Sequence, residues 1–206
     1  MPSPGSFPLS HKGFPVPYIT AWSAETADDR PLVAHQGRLQ YHPSLPGDFD
    51  SHGVLWLHQR IAPGAGTPLF STVHTPRQRR AMLRFLCQIC GEPADRTAEG
   101  ILWLLPGPIT GAVEGEVTTH PPVCAGCAPI ALAHCPSLRR NVTALRARRP
   151  EADHLYGTFY CLTPGGPVAT RHAHTVREGY PQPWFRAAHI AVSLNGVTPV
   201  RLTRLR

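Results

Sequence analysis

Apolar and polar positions alternate over short stretches along most of the 206-residue chain, and proline and glycine separate the stretches. That rhythm predicts strands and turns, with few helices. Residues 14–22 form an extended apolar run, and Arg38–Tyr41 reads as a short strand. Over residues 54–61 the alternation puts Val54, Trp56 and His58 on one face and Leu55, Leu57 and Gln59 on the other. Residues 48–53 and Pro63-Gly64-Ala65-Gly66 are turn-rich. Residues 101–105 and 112–118 predict two strands joined across Pro106-Gly107-Pro108. Residues 142–148, 154–162 and 168–175 predict an antiparallel meander, with Thr163-Pro164-Gly165-Gly166-Pro167 as one turn.

Three stretches have helical character. Thr75-Pro76 is a good start, with Thr as N-cap and Pro in the first helical position. The helix is expected to run to about Leu86, burying Ala81, Met82, Phe85 and Leu86 and carrying Arg77, Arg80 and Arg84 on another face. Pro129 fits the first turn of a second helix with Ile130, Leu132 and Ala133, limited by Pro136. Residues 184–194 predict a third helix, ended by Asn195-Gly196, after which residues 197–202 return as a strand.

Composition fits this picture. There are 24 prolines and 18 glycines, and charged residues make up only 16%. A chain of this length can bury a core as one domain or two small ones. The net charge is +7 but uneven: residues 75–150 carry ten arginines against five acids, whereas residues 1–74 carry four basic and five acidic groups. The most apolar stretch, residues 100–113, is too short to span a bilayer and is interrupted by Pro106-Gly107-Pro108. The start, Met1-Pro2-Ser3-Pro4-Gly5, has neither a basic nor an apolar leader region. The expectation is a cytoplasmic protein with no membrane partner.

The sharpest chemical signal is two Cys-x-x-Cys pairs, Cys87 with Cys90 and Cys124 with Cys127. Four thiolates close a tetrahedral zinc site, and paired spacings in a reducing compartment favour metal over disulfides. Gly91, directly after Cys90, suits the tight backbone turn of a zinc knuckle. Cys135 and Cys161 are left over, and His120, His134 and Cys135 lie close enough in sequence to replace a ligand. A knuckle, a hairpin and a second pair at a helix start resemble the treble-clef zinc fingers over residues 85–138. With its arginine flanks the segment is similar to the Arg- and Pro-rich zinc-finger proteins of high-GC actinobacteria, a resemblance that brings no known activity. It implies an α+β fold, short antiparallel sheets with few helices around a central treble-clef-like zinc module. Three parts follow: a β-rich region over residues 1–74, the module over 75–150, and a sheet plus helix over 151–206. Whether they share one core is left open.

Three catalytic readings compete with a structural one. An HNH-type nuclease uses the same scaffold but needs a His base and an Asn, and no Asn lies between Cys90 and Cys127. A deaminase-like reading would take Glu92 as proton shuttle beside Cys90, Cys124 and Cys127, leaving Cys87 idle. A third would use His172 and His174 on one strand face, with His154 and His189 approaching. None supplies a complete catalytic set.

Arginine clusters flank the cysteines: Arg77, Arg79, Arg80 and Arg84 before them, and Arg139, Arg140, Arg146, Arg148 and Arg149 after. On one side of a fold they would bind phosphates. The expected function is therefore a non-enzymatic, zinc-stabilised binding protein. DNA or RNA is the favoured partner, through its backbone, with a protein-interaction adaptor as the alternative.

Overall fold

A computed structural model of the chain describes residues 8–107, 114–177 and 182–205. The N-terminal strands are short: β1 (Leu9–His11), β2 (Phe14–Val16), β3 (Thr20–Trp22), β4 (Leu32–His35), β5 (Arg38–Tyr41), β6 (Leu55–Trp56) and β7 (Pro68–Val73). Helix α1 (Thr75–Arg84) follows, then β8 (Arg96–Thr97), β9 (Gly100–Pro106) and β10 (Glu116–Thr118). A 3₁₀ turn (Ala125–Cys127) leads into α2 (Ala128–His134) and α3 (Pro136–Arg140). Three long strands complete the chain: β11 (Val142–Thr163), β12 (Gly166–Val176) and β13 (Phe185–Pro199).

Antiparallel β11 and β13 form the spine of a seven-stranded sheet. Short strands share their outer edges. Along β11, β9 pairs with residues 142–147 and β12 with residues 154–163. Along β13, β10 pairs at residues 192–194 and β6, the sheet's parallel member, at residues 186–187. Register shifts near Glu151 and Tyr156 mark bulges that bend the long pair. Three two-stranded sheets, β1–β2, β3–β7 and β4–β5, complete the N-terminal part.

Strand β9 explains how two cores are built. Its apolar run is buried on both faces, which is why it shows no alternation. Ile101, Trp103 and Leu105 join a core with Met82 of α1, Leu145, Leu155, Phe185 and Ile190. Leu102 and Leu104 face the other way, into a core with Cys87, Val123, Cys127, Ala131 and Leu138. The cysteine segment therefore packs on one face of the sheet and α1 on the other.

Several expectations change. The stretch expected as a third helix is strand β13, and Asn195-Gly196 lies inside it. Its alanines suit either structure, but Phe185, Ala187, Ile190, Val192 and Leu194 face the core while β11 supplies the backbone hydrogen bonds. The predicted hairpin of residues 101–105 with 112–118 does not form. Strand β9 lies between β8 and β11, and β10 pairs with the far edge of β13; residues 112 and 113 of the predicted strand fall outside the described residues. Residues 142–148 and 154–162 are one continuous strand, and the turn after it is as expected. Only Leu55–Trp56 of the predicted strand over 54–61 is extended in a ladder. Helix α1 begins at Thr75, with His74 and not Thr75 as its N-cap, and it stops at Phe85, whose left-handed φ of 50° breaks it before Leu86.

Candidate metal centre

Each cysteine pair sits on a tight backbone turn. In the first, the Cys87 N–H donates to Glu92 O (2.7 Å) and the Gly91 N–H to Cys87 O (2.8 Å). Gly91 has φ +75°, and a Cβ there would lie 2.9 Å from the Tyr18 ring, so two constraints require glycine. In the second, Cys124 is extended, and its carbonyl accepts from Cys127 N (3.0 Å) and Ala128 N (3.1 Å), opening α2.

Segment 122–123 brings the pairs together. The Gln88 N–H donates to Pro122 O (2.9 Å) and the Val123 N–H to Leu102 O (3.0 Å), so the segment is held between the knuckle and β9. On the outer side, Tyr18 and Ile19 donate to Ile89 O and Gln88 O at 2.9 and 3.3 Å, tying the N-terminal strands to the same turn.

The four sulfurs lie within 4.8 Å of one another. Cys90 Sγ and Cys124 Sγ are 3.8 Å apart. Zn–S bonds of about 2.3 Å in a tetrahedron imply a sulfur spacing of about 3.8 Å, so this pair is already at the separation required. Cys87 and Cys127 are buried, Cys90 and Cys124 half-buried. Burial pushes the Cys87 thiol up to about 12. Burial, the Cys124 side chain and the other sulfurs push Cys127 up too. Thiols packed this closely share negative charge only around a cation, and a metal ion meets that demand. The site is a compact four-cysteine cluster able to chelate a metal.

Among the described residues no other group of three or more His, Cys, Asp or Glu side chains is placed to hold a metal. His120, His134 and Cys135 are not part of the cluster, and neither is Glu92, which is exposed. Cys87 sits in the cluster beside Cys90, so the deaminase-like arrangement that leaves it idle is not the one present. The other histidines have structural neighbours. His172 Nδ1 lies 2.9 Å from Thr158 Oγ1. Tyr156 stands between His174, at 5.0 Å between ring centres, and His189, stacked at 6.0 Å.

The arginines divide by burial. Arg77 is buried: its fork holds Glu25 at 2.5 and 2.6 Å, and it also donates to Tyr18 O and Thr20 O. Arg146 is buried against Asp95 and donates to Gly100 O (3.0 Å). Arg79 lies over the Trp56 ring at 4.4 Å. Arg80, Arg84, Arg139, Arg140, Arg148 and Arg149 are exposed. Arg139 and Arg140 close α3, and Arg148 and Arg149 lie on β11. The extended run from Asn141 to Arg148 covers about 23 Å at the rise of a strand, so the two exposed pairs form separate stations.

Sequence reasoning passed over Phe14 and Phe70, exposed large side chains that line a groove with Arg139. They are far apart in the chain, and no local pattern links them. No family model matches the chain, and neither a curated protein nor a solved structure matches it.

Proposed function

We propose that this is a zinc-stabilised, non-enzymatic binding protein that holds nucleic acid through its phosphate backbone. The observation that carries the metal half is the set of four sulfurs within 4.8 Å. Zinc suits a closed thiolate tetrahedron, and with four protein ligands it keeps no open position for substrate. The order of a knuckle, the β8–β9 hairpin and a cysteine pair opening a helix supports a treble-clef-like reading of the module. A thiolate centre of this kind also suits a reducing cytoplasm.

The partner half rests on charge. The six exposed arginines flank the cysteine segment, while Arg77 is paired with the buried carboxylate of Glu25 and Arg146 with the half-buried carboxylate of Asp95. Exposed arginine presents planar donors to phosphate without reading bases. The test is retention on immobilised DNA and RNA across a salt series, with Arg139, Arg140, Arg148 and Arg149 changed to Gln. Retention that falls steeply with salt and drops in the variant is expected. A protein that is not retained at low salt, or whose retention ignores both salt and the four changes, rules out the nucleic-acid reading and leaves a protein partner.

A further inference from the structure

The corner between α2 and α3 is surrounded by three depressions of about 540, 700 and 340 Å³. Arg139 lines all three, so its side chain is the wall they share. The first is walled by Phe14 and Phe70 from the N-terminal strands and by Ile130, His134 and Arg139 from the helices. Phe14 and Phe70 are 58% and 59% exposed, unusual for a phenylalanine and more so for two in one groove. The Phe14 ring already meets the His134 ring edge-on at 6.2 Å. Arg140 lines the other two depressions. No carboxylate is among the described residues lining any of them.

We infer that the surface around this corner binds single-stranded nucleic acid, with bases against Phe14 and Phe70 and phosphates on Arg139 and Arg140. The inference rests on the proposed nucleic-acid reading and narrows it. Exposed aromatic faces beside an acid-free pair of arginines match the two surfaces of a single strand, apolar base faces and a charged backbone. A duplex does not offer that combination, because its bases are already stacked and paired. It would use the arginines and leave both phenylalanines in water. No base edge is read by this set, so binding tolerates any sequence with good stacking.

The experiment is fluorescence anisotropy of a labelled short oligo(dT) and of a short duplex, each titrated with the full chain over a salt series. The variants are Phe14→Ala with Phe70→Ala, and Arg139→Ala with Arg140→Ala; circular dichroism checks each fold, which exposed positions are not expected to disturb. Oligo(dT) should bind more tightly than duplex. The phenylalanine variant should weaken oligo(dT) by roughly 5- to 150-fold per stacked base lost, with the salt slope unchanged. The arginine variant should reduce the magnitude of that slope by about 1.4, since each phosphate contact on a single strand contributes about 0.7. If duplex binds as well as oligo(dT), or the phenylalanine variant binds like the parent, the groove assignment falls while the wider nucleic-acid reading survives. If neither nucleic acid binds at low salt, both fall together.

Discussion

Arg77 shows why a charge pattern in sequence is a poor map of a charged surface. Its acid partner, Glu25, lies 52 positions away in the chain, and nothing local announces the pairing. Burial pushes the Glu25 carboxyl up, but the Arg77 fork and the N–H groups of Trp22 and Ala62 outweigh it and hold the group below its ordinary value. Arg146 is absorbed in the same way by Asp95, 51 positions away. The four cysteines are the opposite case, since each pair states its own spacing. His189 entered the sequence reading only as a histidine that could approach His172 and His174, and nothing local marked its burial. In the fold, burial first and Arg79 second lower it from 6.5 to about 4. A base whose folded value is depressed contributes its full stability above 6.5, and that stability is lost as pH falls from 6.5 towards 4. The loss is on the order of 2–3 kcal/mol. His189→Phe keeps the stack on Tyr156 and should flatten this part of the pH profile. Urea unfolding at pH 7, 5.5 and 4 measures it, and an equally steep profile in the variant would remove His189 as the cause.

At the scale of elements, the sequence conveyed local shape better than pairing. Strand β5, the start of α1 and the turn after β11 follow from residues close together in the chain. The partners of β9 and β10 do not, because the order β10-β13-β11-β9 separates two strands that follow each other in sequence. Strand β13 was misread because alanine and leucine satisfy a helical period as well as an alternating one, and the deciding partner, β11, is distant in the chain. Closeness of those two strands is visible at Gly157. A Cβ there would lie 2.3 Å from Arg186 O and 2.8 Å from Ala187 Cα, backbone atoms held by the sheet. Gly157→Ala should therefore destabilise the protein by about 3 kcal/mol, at the upper end of overpacking costs. Denaturant midpoints check this; a change within experimental error would mean that the long pair can separate there at no cost.

For the molecule as a whole, the cysteine cluster is a joint between regions that composition set apart. It contributes Cys87 and Cys127 to the second core, and its knuckle receives hydrogen bonds from Tyr18 and Ile19. Purified protein should carry one zinc per chain, and Cys87→Ser should lose it. Chelation should then speed hydrogen exchange at the amides of Tyr18, Ile19, Gln88 and Val123, while those of β13 remain protected. Unchanged exchange at all four amides after metal removal would mean that packing alone holds the joint. No described helix is long and apolar enough to cross a membrane.

The length of β11 has a further consequence for how the chain can be divided. Its 22 residues pass through position 150, where charge and composition change and a boundary is easiest to draw. A cut there leaves one fragment with β9 beside six paired residues of β11 but without β13, and the other with β12 and β13 on either side of a shortened β11. Each fragment would expose an unpaired edge and half of the core around Trp103 and Leu155. The two pieces should be adhesive when made separately and restored when made together, which suits this strand to splitting a protein into complementing halves.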